Sequence, residues 1–195
     1  MVNYSLYAAS VSLFYFLLPQ GLVARISILT LFGLGMYALY LTGNIYSIAA
    51  IRTIQLLRAA HAVGFLLTLV TMVLFFNTIF SFRFPFYLNG VLSGVTAFPL
   101  LLSALWSVKL EEEISKKILW YAGIISVVIA QVGIVLSFIP VTVWVASLFL
   151  VTVSYVALGV LQHELFDRLF EKTLQEYISV GVFVLLAMLI FTQWK

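Results

Sequence analysis

The chain has 195 residues, of which 64% are apolar and only 9% charged, with a mean hydropathy of +1.18. A soluble domain carries roughly 25% charged residues, so a water-soluble fold is excluded and the bilayer is the solvent against which the sequence must be read. The formal charge of +3 sits between apolar segments and argues against a nucleic-acid partner, while the absence of cysteine excludes disulfides, thiolate metal sites and iron–sulfur clusters.

These properties predict an all-α, polytopic membrane bundle of about seven transmembrane helices, or six if the first segment does not cross, in a single transmembrane domain over 1–195. Charges and turn-formers place the spans near 3–23, 26–50, 59–81, 86–107, 118–138, 141–162 and 178–194. The first is the least regular. It contains Tyr4, Tyr7, Ser10 and Ser12 and soon meets Pro19-Gln20-Gly21. With no basic stretch ahead of it and no small-x-small cleavage site, it reads as a retained segment rather than a signal peptide. Ala8 with Ser12, and Gly33 with Gly35 in the second span, would permit close helix approach.

Asn44, Ser47, Gln55 and Arg58 share a face that Ile48 and Ile51 interrupt, an irregular interfacial stretch. His61 follows Arg58 by one turn and reads as an interfacial histidine. Asn77, Arg83 and Asn89 are expected to gather where the third and fourth spans meet, either anchoring them in the interface or lining a vestibule. The fourth span carries Gly90-x-x-x-Gly94 and then Pro99, which predicts a kink with an unsatisfied carbonyl near Val95. That break beside the glycines is the expected place for a cavity.

The fourth loop brings Glu111, Glu112 and Glu113. Glu112 with Lys116 and Glu113 with Lys117 fall at helical pairing distance, so a short charged hairpin is expected to face a partner. From Ile118 to Gln162 there is no Asp, Glu, Lys or Arg, only two crossings joined near Pro140. Gln131 is their deepest strong hydrogen-bonder, expected to bond a neighbouring helix or touch a ligand.

The sixth loop, His163 to Tyr177, predicts an amphipathic helix with Glu164–Arg168 and Lys172–Glu176 pairs. Its His163, Asp167 and Glu171, at i, i+4 and i+8, form the one pattern suggestive of cation binding or acid–base work. A solvated polar face explains the same residues more simply. The last span, at about 17 residues, is at the lower limit for crossing.

Loops two, four and six hold seven lysines and arginines (Arg52, Arg58, Lys109, Lys116, Lys117, Arg168, Lys172) against three elsewhere (Arg25, Arg83, Lys195). The positive-inside rule therefore predicts that loops 109–117 and 163–177 and the N-terminus are cytoplasmic and the C-terminus outside, in a prokaryotic cytoplasmic membrane. No span retains a formal charge, which removes most of the case for ion-coupled transport. No catalytic, metal or cofactor motif is present. The leading expectation is a non-enzymatic subunit or scaffold of a membrane complex, or a self-associating protein, with Glu112, Glu113, Glu164, Asp167 and Glu171 facing the partner. The alternative is a binding or translocation module for a small neutral or hydrophobic ligand, using Gln131, Asn77, Asn89, Arg83 and the Pro99 break. A lipid-active enzyme is the third reading, weakened by the lack of a DxxD-type magnesium pair.

Overall fold

The computed structural model describes residues 2–19, 21–49, 55–110, 114–166 and 170–192. Within them are seven helices: α1 (Val2–Tyr15), α2 (Leu22–Ala49), α3 (Leu57–Ser81), α4 (Phe86–Lys109), α5 (Lys116–Leu136), α6 (Val143–Leu165) and α7 (Glu171–Phe191). There is no strand among the described residues. Six helices, α2 to α7, are long and apolar enough to cross a membrane. The chain is an all-α integral membrane bundle.

Local chemistry fixes the ends of these elements. Pro19 and Gly21 separate α1 from α2. Arg83 and Leu110 adopt left-handed backbone (φ 52° and 49°), turning the chain after α3 and α4. The Leu110 N–H returns to the Trp106 carbonyl at 3.2 Å, satisfying one of the carbonyls that a helix C-terminus leaves open. Ser115 caps α5 by accepting from the Ile118 N–H, and Thr142 caps α6 by accepting from the Val145 N–H.

The expected first span, 3–23, is cut to a helix of 14 residues, about 21 Å long at 1.5 Å per residue against a hydrocarbon core of roughly 30 Å. It nevertheless lies inside the bundle. Tyr7, Ser10, Val11 and Phe14 are buried, packed chiefly on α3 and α2. It runs antiparallel to α2: Tyr4 stacks on Tyr40, the Tyr7 hydroxyl donates to the Leu31 carbonyl at 2.6 Å, and Phe14 meets Trp144 edge-on at the start of α6. The N-terminal end of α1 therefore shares a side with the C-terminal ends of α2, α4 and α6.

Glycine notches position the neighbours. Tyr7 lies where a Gly35 side chain would project, Tyr4 does so at Gly43, Tyr46 at Gly64 and Tyr177 at Gly159. Each ring from one helix fills a gap left by a missing Cβ on the next. The tightest seam joins α4 to α5, where a Cβ on Gly94 would stand 2.9 Å from both the Ser126 carbonyl oxygen and the Ala130 Cβ, and Gly133 faces Gly90. Gly90-x-x-x-Gly94 thus serves packing within this chain. Ala8-x-x-x-Ser12 does not: Ser12 is exposed, because the buried face of α1 is the Tyr7–Val11–Phe14 stripe, and its hydroxyl bonds back to the Ala8 carbonyl. Gly33 is likewise exposed, with open space around it.

A continuous core of Met72, Phe76, Leu100, Leu101, Leu105, Ile129 and Leu150 fills the space among α3, α4, α5 and α6. α2 stands outside it, and α7 reaches it only through Met188. α7 packs chiefly on α6, and within the helix only Met188 is buried.

Candidate functional site

The polar side chains of α1 to α4 converge at the end of the bundle that carries the basic loops. They line a half-open cavity of about 540 Å³, within the 300–1,000 Å³ typical of small-molecule sites. Asn3 and Tyr4 of α1, Thr42, Asn44 and Tyr46 of α2, Thr68 of α3, and Ser103 and Ser107 of α4 all border it, with Trp106 and Leu39 adding apolar wall. No charged side chain lines it among the described residues.

Several of these groups are held firmly. Thr42 and Thr68 are buried and direct their hydroxyl protons to the Leu39 and Gly64 carbonyls, leaving oxygen lone pairs free to accept. Tyr46 reaches across the Gly64 notch and donates to the Ala60 carbonyl at 3.0 Å. Behind it His61 lies between Tyr46 and Phe166, each ring centroid 5.5 Å away, and its Nε2 is 2.8 Å from the Ser107 carbonyl oxygen. A carbonyl can only accept, so Nε2 carries the proton. One turn earlier on α4 the Ala104 carbonyl accepts from the Gln162 amide of α6 at 3.1 Å. Both bonds lock the last turns of α4 against α3 and α6 and so hold the cavity wall in place.

Asn3 stands apart. Its Oδ1 is shielded from solvent and has no hydrogen-bond partner among the described residues. Buried polar atoms in native structures are nearly always paired, so an unpaired acceptor on a cavity wall is a group awaiting a donor.

The cavity is not at the position expected from Pro99. α4 runs unbroken through that proline, and the glycines beside it are filled by α5. The open space begins one turn later, at Ser103, where α1 and α2 lean in from the other side. Gln131 also departs from its expected role. The inward face of α5 is set by Ile118, Ala122, Ile125, Ile129 and Gly133, which leaves Gln131 exposed on the opposite side.

Asn77 and Asn89 are buried but do not gather into a vestibule. The Asn77 amide reaches Ser147 of α6 at 3.4 Å, whereas the Asn89 amide donates to the Phe84 carbonyl and to Ser137, the residue that follows α5, each at 3.1 Å. They are interhelical ties near the far end of the bundle, and Arg83 is exposed in the turn between them.

Among the charged side chains, one described pair joins two helices. Lys117 pairs with Glu164 of α6 at 3.1 Å, and Tyr121 donates to the same carboxylate at 2.7 Å. Sequence spacing had suggested Glu113 for Lys117 and Arg168 for Glu164; Glu112, Glu113, Asp167 and Arg168 lie outside the described residues. The expected amphipathic helix over His163–Tyr177 is divided, because α6 ends at Leu165 and α7 begins at Glu171. His163, on α6, donates from Nδ1 to the Gly159 carbonyl and meets Tyr177 edge-on, while Glu171 is exposed at the first turn of α7. His163 and Glu171 therefore do not share one helix face.

Sequence reasoning passed over the cavity residues Asn3, Tyr4, Thr42, Tyr46, Thr68, Ser103 and Ser107. The available signal was their common position: each lies in the basic-loop half of its span, and two of the three tyrosines near the cavity, Tyr4 and Tyr46, have a glycine opposite.

The chain belongs to the DUF5656 family of proteins of unknown function, whose family model matches residues 5–191. No curated protein and no solved structure matches it.

Proposed function

We propose that the chain is a non-enzymatic membrane receptor for a small neutral ligand, taken up from the face that carries the basic loops. The positive-inside rule makes that face cytoplasmic. The observation that carries the reading is the cavity itself, rich in hydroxyl, amide and aromatic groups and free of charged side chains among the described residues. A charged ligand would lose its hydration there without a counter-charge to compensate. The unpaired Asn3 Oδ1 calls for a ligand donor, and Tyr4, Tyr46 and Trp106 offer flat apolar surface. Binding suits this geometry better than translocation, since Phe75, Phe76, Ile79 and Leu101 pack the interior between the cavity and the far end of the bundle.

A second reading, as a subunit of a membrane complex, draws on α7, which leaves Phe183, Ile190 and Phe191 about 70–80% exposed. Lipid alone satisfies such a face, so the cavity is the stronger guide.

The test is to purify the protein in lipid nanodiscs and identify by native mass spectrometry any small molecule that stays bound. Ser103→Trp, which projects a bulky ring into the cavity, should strip that molecule while the protein remains monodisperse and helical. If the unaltered protein carries nothing, or Ser103→Trp retains the same molecule, the receptor reading fails.

A further inference from the structure

We infer that the outward face of α5 is the contact between two copies of this chain, with Gln131 of each copy hydrogen-bonded to Gln131 of the other. The buried residues of α5, Ile118, Ala122, Ile125, Ile129, Gly133 and Leu136, recur every three or four positions and face α4 and α6. At 100° per residue Gln131 stands on the opposite side of the helix, in the middle of an exposed stripe with Trp120, Ile124, Val127 and Val135. No described helix of the chain covers that stripe, for α7 packs on α6.

The depth of Gln131 makes its exposure consequential. It lies about 8 Å inside the Leu136 end of α5 at 1.5 Å per residue, within the part of the helix that crosses the apolar layer. Exposed hydroxyls such as those of Ser12, Thr30 and Ser179 are satisfied locally, each donating to a carbonyl of its own helix. A carboxamide carries two donors and a carbonyl acceptor, and Gln131 has no hydrogen-bond partner among the described residues. In hydrocarbon, where no water replaces the missing partner, such a group is strongly disfavoured.

A second copy is the occupant that the chemistry selects. Two chains inserted in the same orientation present Gln131 at the same depth, and a group that both donates and accepts is complementary to itself across a two-fold axis. The contact lies outside the cavity and does not depend on the receptor reading.

The chain has no cysteine, so single-cysteine crosslinking in native membranes gives a clean test. Val127→Cys and Ile124→Cys should yield a crosslinked dimer with a short bifunctional thiol reagent, and Phe183→Cys on α7 and Leu34→Cys on α2 should not. Adding Gln131→Leu should weaken the association about three- to twentyfold, the range expected for a membrane-embedded hydrogen bond, and Gln131→Asn should preserve it. Equal crosslinking at positions 183 or 34, no response to Gln131→Leu, or capture of a different protein by the α5 cysteines would each overturn the inference.

Discussion

The first and last helices are opposites. α1 has 14 residues and includes Tyr4, Tyr7, Ser10 and Ser12, yet Tyr7, Ser10, Val11 and Phe14 are buried. α7 has 21 residues and is nearly all apolar after Tyr177, yet only Met188 of the helix is buried. In water the more apolar segment would occupy the core. In a bilayer it has no such incentive, because lipid tails solvate leucine as well as a protein interior does. What draws a helix inward is shape and hydrogen bonding: a tyrosine ring that fits a glycine notch, or a hydroxyl that finds a carbonyl. α1 has two such rings, Tyr4 and Tyr7, seated on Gly43 and Gly35 of α2; α7 has one, Tyr177 on Gly159.

The contrast sets an order of expected losses when the protein is unfolded thermally in mild detergent. Tyr7→Ala should cost most, about 3–5 kcal/mol, because it empties a fully buried site and orphans the Leu31 carbonyl bond. Gly35→Ala should cost about 1–3 kcal/mol, since the new methyl collides with the Tyr7 ring. Gly159→Ala makes the same collision with Tyr177, but that ring is only half-buried and can swing toward lipid, so a loss of about 1 kcal/mol is expected. Phe183→Ala on the outer face of α7 should stay within about 0.5 kcal/mol of the unaltered protein. If Phe183→Ala destabilised as much as Tyr7→Ala, burial rather than shape would have to be reassigned to α7.

The difference also explains what could be read from the sequence. Helices α3 to α6 were legible because uncharged runs such as Ile118–Gln162 admit few alternatives in a chain this apolar, and their expected bounds fall within a few residues of those observed. The placement of α1 inside the bundle was not, since hydropathy scores Tyr4, Tyr7 and Ser10 as defects when they are contacts. Gln131 was misplaced for a related reason. Polarity suggested an interior position, whereas the inward face of α5 is fixed by Ser126, Ala130 and Gly133, the small residues against which α4 packs. Lys117–Glu164 joins residues 47 apart, and spacing rules see only pairs within one helix. The cavity was illegible for the same reason: its walls come from four helices, and only their packing brings those walls together.

Everything in the candidate site depends on α1 running through the same layer as α2, with Asn3 at the basic-loop end and Pro19 at the other. Single cysteines at Asn3, Pro19 and Ile114, labelled from each face of sealed vesicles with a membrane-impermeant thiol reagent, test this directly. Asn3→Cys and Ile114→Cys should label from one face and Pro19→Cys from the opposite face. Labelling of Asn3→Cys and Pro19→Cys from the same face would contradict the account, because α1 could not then wall a cavity against α2, α3 and α4.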